Sequence, residues 1–170
     1  MFTLIIGGSA SGKSEAAERH VCRMDGKRIY IAAMEPFGAE AKERIEKHHK
    51  MRENRGFETM ERYTGLKNAE VPPDSNILLE DLGNLTANEM YSESGNGPQA
   101  VLDGIDALLS KCRHLTVVTN EVFSGGSLYA GDTLRYLQEL ARINILLAEK
   151  ADLVCEVVCG ECIRLKGEGL

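Results

Sequence analysis

The sequence predicts an α/β fold whose central sheet is mainly parallel, is flanked by helices and ends in a short antiparallel strand. Short apolar runs of the kind that form buried strands alternate along the chain with longer segments of helical periodicity. Glycine or polar residues follow several of these runs, at the position where α/β folds bind ligands. The length of 170 residues and the apolar fraction of 43% predict a single domain over residues 1–170.

Apolar runs, helix formers and turn residues place the elements in order along the chain. In the first half they predict a strand at 3–6, a glycine loop at 7–14, a helix at 15–23, a strand at 28–32, a charged helix at 39–55, a surface connection at 66–76 and a strand at 77–80. In the second half they predict a loop at 92–98, a helix at 100–111, a strand at 115–119, a helix at 133–150, a strand at 152–158 and a final antiparallel strand at 163–166. The first elements together suggest a βαβ unit.

Charge and hydropathy exclude several classes of partner. The net charge of -6, from 26 acidic and 20 basic residues, gives no general attraction for nucleic acid, so any anionic ligand must be held locally. No apolar run approaches the roughly 20 residues that span a bilayer, and residues 1–6 lack the features of a signal peptide. We therefore expect a cytoplasmic protein with no membrane span, whose five cysteines form no disulfide framework.

Residues 7–14 satisfy the pattern Gly-x-x-x-x-Gly-Lys-Ser, directly after a predicted strand and at the start of a helix. Glycines let the backbone wrap so that its N–H groups point at phosphate oxygens, and the helix N-terminus favours an anion. Lys13 is predicted to reach the β and γ phosphates of a nucleoside triphosphate, and the Ser14 hydroxyl to ligate Mg²⁺. The pattern predicts a P-loop NTPase-like domain that uses GTP, ATP or both.

Phosphoryl transfer also needs a carboxylate opposite the loop, to hold the metal directly or through water. Glu80, at the end of the predicted strand 77–80, is the candidate for this Mg²⁺ site, with Asp81 as the fallback. The alternative is that Glu80 is only a solvated strand end. Asn120 and Glu121 end another strand, and they either take part in the site or cap the following loop.

Glu40, Arg44, His48 and Arg52 are spaced by four and would form one stripe on the charged helix. The two guanidinium groups can bind phosphate oxygens, and neutral His48 offers a nitrogen that can attack phosphorus. The nearby positive charge disfavours the imidazolium form and keeps that nitrogen free. Spacing alone leaves open the alternative that this stripe is an ordinary solvated helix face.

Other histidines and cysteines have no predicted role. Cys155, Cys159 and Cys162 form one cluster without the paired spacing of structural zinc sites, so we expect free thiols, with metal binding as the alternative. His20 and His114 lie near the ends of predicted elements and are expected to be solvated.

Short motifs follow one another in a specific order along almost the whole chain. They are Gly7-Gly8-x-x-Ser11-Gly12-Lys13-Ser14, Tyr30-Ile31-Ala32, Glu40, Arg44-Ile45-x-x-His48-x-x-x-Arg52, Thr59-x-Glu61, Leu78-Leu79-Glu80, Asn88, Thr119-Asn120-Glu121-Val122 and Arg142-x-x-Asn144. In this order and spacing the chain resembles the bifunctional adenosylcobinamide kinase / adenosylcobinamide-phosphate guanylyltransferase family of cobalamin biosynthesis.

The resemblance implies an enzyme with two steps. A nucleoside triphosphate phosphorylates adenosylcobinamide, and GTP then transfers GMP to that phosphate through a guanylyl-histidine intermediate, giving adenosylcobinamide-GDP. His48 occupies the position of the guanylylated histidine, with Lys13 and Glu80 as further catalytic residues; His49 points about 100° away on a helix and is the weaker choice of nucleophile. The family also implies a homotrimer. The nucleotide-binding residues that it implies are Gly7, Gly8, Ser9, Ala10, Ser11, Gly12, Lys13, Ser14, Ala32, Ala33, Met34, Arg44, His49, Lys50, Met51, Arg52 and Glu61.

Departures from the family pattern concentrate after Val122, where Phe123-Ser124-Gly125 replaces the usual Gly-x-Gly. Two alternatives to the family function stay open, of which the departures motivate the second. One is another small P-loop metabolite kinase, in which the helix of His48 is an ordinary surface. The other is a non-catalytic nucleotide-binding module.

Overall fold

The computed structural model describes residues 1–35, 55–125 and 128–168. In these residues, seven strands form one sheet, and four helices and a short 3₁₀ turn, Leu66–Asn68, accompany it. The strands are β1 (Phe2–Gly7), β2 (Arg28–Ala32), β3 (Phe57–Glu61), β4 (Asn76–Glu80), β5 (His114–Asn120), β6 (Leu153–Val158) and β7 (Glu161–Lys166). The helices are α1 (Lys13–Cys22), α2 (Leu82–Tyr91), α3 (Gln99–Leu109) and α4 (Gly131–Lys150). No helix within the described ranges is long and apolar enough to cross a bilayer.

The strands lie in the order β3-β2-β4-β5-β1-β6-β7. All neighbouring strands are parallel except β6 and β7, which form an antiparallel pair. This confirms the predicted α/β class, the mainly parallel sheet and the antiparallel C-terminal strand. The suggested βαβ unit needs one correction, because β4 and β5 lie between β1 and β2 and the connection through α1 passes over both.

Both faces of the sheet are buried along its inner strands, whereas the edge strand β3 is partly exposed and the edge strand β7 is exposed. Successive residues of a strand point to opposite faces, so Ile31 and Leu79 belong to the larger apolar cluster, which α2, α3 and α4 cover. Tyr30 and Leu78 belong to the second cluster, which α1 covers. Burial on both faces explains why the inner strands appear in the sequence as nearly continuous apolar runs.

Two elements, β3 and α2, escaped prediction. β3 is an edge strand with no fully buried residue, so it lacks an apolar run. Asp81 is the N-cap residue of helix α2. Its carboxylate accepts a hydrogen bond from the backbone N–H of Asn84 at 2.6 Å. The predicted surface connection 66–76 is wrong at its start, because Leu66 is fully buried and packs against Gly104. The predicted charged helix, apart from Arg55, lies outside the described residues.

The expectation that His20 is solvated is wrong. The ring is buried in the last turn of α1, and its Nε2 lies 3.2 Å from the Thr3 hydroxyl on β1. Burial, followed by the charges of Arg23 and His114, lowers the pKa of His20. His114 is only partly exposed, and its pKa is also lowered, mainly by burial.

We expect the free energy of unfolding to decrease as the pH falls below about 6.5. The His20 ring titrates at 6.5 when unfolded and at a lower pH when folded, so the unfolded state binds more protons in this range. The stabilisation is complete above that range and is lost on acidification; His114 contributes with the same sign. Urea unfolding at about pH 7.5 and about pH 5.5 should show a smaller difference in His20→Gln than in the wild type. An equal difference would contradict this account.

Candidate active site

A cavity of about 570 Å³ opens at the carboxyl edge of the sheet, where α/β folds bind ligands. It lies between the phosphate loop and the ends of β2, β4 and β5. Its lining residues are Ser9, Ala10, Ser11, Gly12, Lys13, Ser14, Glu15, Glu18, Tyr30, Ala32, Met34, Arg55, Glu80, Asp81, Asn84 and Asn120.

The phosphate loop, residues 7–14, joins β1 to α1 in a shape that requires glycine at positions 7 and 12. Gly12 has φ +90°, which L-residues rarely adopt, and a Cβ at this position would lie 3.2 Å from Gly160 Cα. A Cβ at Gly7 would lie 2.9 Å from the carbonyl oxygen of Val157. Gly160, in the turn between β6 and β7, donates its N–H to the carbonyl oxygen of Ser11 at 2.8 Å. The C-terminal hairpin therefore braces the loop.

The first turn of α1 points its backbone N–H groups toward this loop. Gly12 precedes the helix and has no side chain with which to cap it, so these donors are available to an anion. Lys13 is buried, and its ammonium donates to the carbonyl oxygen of Gly8 at 3.1 Å. A triphosphate in the loop would give this ammonium a charged acceptor, which forms the stronger hydrogen bond.

Glu80 is the carboxylate that meets the phosphate loop. The Ser14 hydroxyl donates to Glu80 Oε1, and the Tyr30 hydroxyl donates to Glu80 Oε2 at 3.1 Å. The fallback, Asp81, instead accepts hydrogen bonds from the backbone and side chain of Asn84 and so caps α2. A hydroxyl and a carboxylate are the hard oxygen ligands that Mg²⁺ prefers, so the donor set beside Lys13 fits this ion.

The residues predicted after β2 and β3 are placed differently from one another. Ala32 and Met34 line the cavity, whereas Ala33 between them is fully buried. Glu61 ends β3 away from the cavity lining, and its carboxylate accepts the Tyr63 hydroxyl at 2.9 Å. Burial and this bond raise the pKa of Tyr63 to about 12. The predicted site residues outside the described part of the chain are Glu40, Arg44, His48, His49, Lys50, Met51 and Arg52.

The side chains of Asn120 and Glu121, at the end of β5, are placed differently: one lies at the cavity and the other in the following loop. Asn120 lines the cavity. Glu121 turns back to its own loop, where it accepts the Ser124 hydroxyl at 2.7 Å and the N–H groups of Phe123 and Ser124. These bonds, with the Ser124 hydroxyl first, lower the pKa of Glu121. The geometry therefore favours a site position for Asn120 and a capping role for Glu121.

The three C-terminal cysteines differ in their exposure to solvent. Cys155 is buried, whereas Cys159 and Cys162 are exposed, and all three are free thiols. In the part of the chain that the structure covers, no group of three or more His, Cys, Asp or Glu residues could hold a metal ion.

Glu18 and Arg55 are cavity residues that were not predicted. Arg55 Nη1 lies 2.5 Å from Glu18 Oε2, and the Glu18 carboxylate is buried. The guanidinium of Arg28 donates to the carbonyl oxygen of Arg55 at 3.3 Å. The chain is thus anchored beside α1 directly after the segment that carries His48. Glu18 and Arg55 are 37 residues apart in the sequence, so no local sequence pattern predicts their contact.

Asn88, which belongs to one of the sequence motifs, has a structural task at the site. Its side-chain amide donates to the carbonyl oxygens of Ala33, at 2.8 Å, and Tyr63, at 3.1 Å. These two residues follow β2 and β3. One carboxamide on α2 therefore fixes both loops beside the cavity.

We expect Asn88→Ala to lower the free energy of unfolding by about 1–3 kcal/mol, because two carbonyl groups lose their donor. Urea unfolding measures this. Gln99→Ala is the matched control, because Gln99 is exposed on α3 and its side-chain amide donates to Asp103 on the same helix. If the two variants are equally stable, Asn88 does not hold these loops.

Comparison with protein families shows which family the chain belongs to. Residues 3–165 match the family described as cobinamide kinase / cobinamide phosphate guanyltransferase. The chain belongs to this family. The match includes the phosphate loop, Glu80 and the segment with His48, and membership in the cobinamide kinase/guanyltransferase family implies a nucleotide-using transferase of cobalamin biosynthesis.

Individual proteins add little to this family assignment. The curated proteins give no significant match. Among solved structures, the P4 protein from bacteriophage phi6 in complex with ADP is similar, with 11% identity and a TM-score of 0.47. That comparison covers 95% of this chain and 52% of the P4 chain, so the chain spans about half the length of P4.

Proposed function

We propose that the protein phosphorylates adenosylcobinamide with a nucleoside triphosphate and then transfers GMP from GTP to adenosylcobinamide phosphate. The family match over residues 3–165 supports the pair of reactions. The observation that carries the proposal is the contact of Ser14 with Glu80 beside Lys13, at the mouth of the phosphate loop. This arrangement supplies a cation, a hydroxyl and a carboxylate where a triphosphate would bind.

In the kinase step, the backbone N–H groups of residues 7–14 bind the triphosphate and Lys13 neutralises charge on its β and γ oxygens. Ser14 and Glu80 would hold Mg²⁺, which supplies further charge neutralisation when bound. The substrate hydroxyl oxygen attacks the γ phosphorus and releases its proton to solvent, the bond to the β–γ bridging oxygen breaks, and the nucleoside diphosphate leaves. Asp81, Asn84 and Asn120 line the same cavity and offer polar groups to the acceptor.

In the guanylyl step, an imidazole nitrogen of His48 attacks the α phosphorus of GTP and pyrophosphate leaves. A phosphate oxygen of adenosylcobinamide phosphate then attacks the same phosphorus, which breaks the N–P bond and frees His48. Arg44 and Arg52 have the charge to stabilise the transferred phosphate. The Glu18–Arg55 ion pair supports this role for the segment that carries His48, because it anchors Arg55, which directly follows that segment, at the cavity.

Product analysis tests both reactions. With adenosylcobinamide, Mg²⁺ and γ-labelled ATP or GTP, we expect labelled adenosylcobinamide phosphate. With adenosylcobinamide phosphate and α-labelled GTP, we expect labelled adenosylcobinamide-GDP. Turnover only with other hydroxyl metabolites would favour a different P-loop kinase, and tight nucleotide binding without turnover would favour a non-catalytic module. Either result contradicts the proposal.

We also infer that the protein is a homotrimer, as the resemblance implies, and that it is cytoplasmic. Large apolar side chains are exposed on α4 and the loop before it, including Phe123, Leu128, Leu134 and Ile145. Such a concentration is typical of a surface that contacts another chain. Analytical ultracentrifugation should give three times the mass of one chain, and a monomer would contradict the inference. The five free thiols fit a reducing compartment.

A further inference from the structure

We propose that Tyr30 is a positioning residue for the metal site, whose phenol fixes the Glu80 carboxylate in the orientation that binds a divalent cation together with Ser14. The proposal rests on the proposed function for the presence of a metal-nucleotide complex. It adds a residue of β2 to a site that the phosphate loop and β4 otherwise form.

Strand register brings the two side chains together. Tyr30 on β2 pairs with Leu78 on the parallel strand β4, and Glu80 lies two residues further along β4. Residues two apart on a strand point to the same face. The phenol therefore reaches Glu80 diagonally between two neighbouring strands, with its oxygen 3.1 Å from Glu80 Oε2.

The Tyr30 ring is held firmly on the face that α1 covers. The residue is only 5% exposed and packs with the α1 side of the core. Its ring meets Phe57 on β3 edge to face, with centroids 6.4 Å apart and an interplanar angle of 84°. The hydroxyl therefore acts on Glu80 from a packed position on a sheet, which gives more precise placement than a loop.

The two hydroxyls divide the carboxylate between them. Ser14 donates to one oxygen of Glu80 and Tyr30 donates to the other. The Ser14 oxygen keeps lone pairs for a cation while its hydroxyl hydrogen points toward Glu80 Oε1. The Tyr30 bond prevents the far carboxylate oxygen from rotating away, which leaves the near oxygen aimed at the loop. Without the phenol, Glu80 would be held on one side only.

Tyr30→Phe tests the proposal, because it removes the hydroxyl and keeps the ring against Phe57. Mn²⁺ binding is measured by electron paramagnetic resonance with a non-hydrolysable GTP analogue present. We expect about tenfold weaker Mn²⁺ binding, the usual size of a loss in the shell around metal ligands. Nucleotide affinity in EDTA should not change, and the kinase should need about tenfold more Mg²⁺ for half-maximal rate.

Two further variants sharpen the result. Tyr91→Phe is the matched control, because its hydroxyl bonds to the carbonyl oxygen of Asp132 at 2.7 Å, away from the cavity lining; it should bind Mn²⁺ like the wild type. Glu80→Gln should weaken Mn²⁺ binding by itself, and adding Tyr30→Phe to it should cause no further loss, because the phenol acts through the carboxylate.

Three results would overturn the proposal. The first is an unchanged Mn²⁺ affinity in Tyr30→Phe. The second is a loss of nucleotide affinity in EDTA as large as the loss of Mn²⁺ affinity in the same variant. The third is that the losses of Mn²⁺ affinity in Tyr30→Phe and Glu80→Gln add up when the two substitutions are combined. If the nucleotide affinity of the wild-type protein is the same with and without Mn²⁺, that result would instead refute the proposed function, and the inference with it. The two failures are therefore distinguishable, since the second appears without any variant.

Discussion

Lys13→Met is expected to lower kcat/KM for phosphoryl transfer by about 10²–10³-fold, the effect of removing one charge-stabilising group from a transition state. The Lys13 ammonium is buried in the loop, bonded at 3.1 Å to Gly8, and is the positive side chain of residues 7–14. Methionine keeps the apolar stem and removes the charge. Steady-state kinetics with γ-labelled nucleotide gives the measurement.

Lys111→Met is the matched control for this prediction. Its ammonium is exposed and donates to the carbonyl oxygen of Ala69 at 3.2 Å, outside the cavity lining. It should retain the rate of the wild type. Calorimetry should show that Lys13→Met loses affinity for the triphosphate more than for the nucleoside. Full activity in Lys13→Met would mean that residues 7–14 are not the catalytic phosphate loop.

His48→Ala is expected to separate the two activities. Protein incubated with α-labelled GTP should carry acid-labile, base-stable label, typical of a phosphoramidate, and the variant should carry none. Transfer of GMP should fall below detection because the imidazole that takes up GMP is gone and His49 is expected to point away from the nucleotide. Phosphorylation of adenosylcobinamide should continue, since Lys13, Ser14 and Glu80 are intact.

The choice between adjacent histidines is part of the same test. His49→Ala should still carry the covalent label. His114 lies at the amino end of β5, whereas the cavity lies at the carboxyl ends of the strands, so His114→Ala should label and transfer like the wild type. Label that survives in His48→Ala and disappears in His49→Ala would contradict the assignment. Label on neither variant and none on the wild type would refute the guanylyl-histidine intermediate.

The phosphate loop and Glu80 could be predicted because their geometry is local. The glycine positions of residues 7–14 are fixed by the turn between β1 and α1, where Gly12 has φ +90°. Glu80 ends an apolar run, and a parallel sheet brings all such strand ends to one edge. These two local facts place Ser14 and Glu80, 66 residues apart, at the same edge of the sheet, and the path of α1 over β5 and β4 brings them into contact.

Other parts of the site depend on strand order and register, which no local pattern contains. The Tyr30–Glu80 bond exists because β2 lies beside β4, 50 residues away along the chain. The Glu18–Arg55 pair joins α1 to the turn before β3, an edge strand whose exposed residues give no apolar run in the sequence. His20 illustrates the same difficulty, because only the position of β1 buries it against Thr3.

A crystal structure with Mn²⁺ and a non-hydrolysable GTP analogue tests the central claim most directly. We predict an anomalous manganese peak within about 2.5 Å of the Ser14 hydroxyl oxygen, with Glu80 in contact directly or through one water. The β and γ phosphates should lie against the N–H groups of residues 7–14 with Lys13 beside them. A manganese peak remote from both Ser14 and Glu80, or a triphosphate bound elsewhere on the protein, would contradict the account.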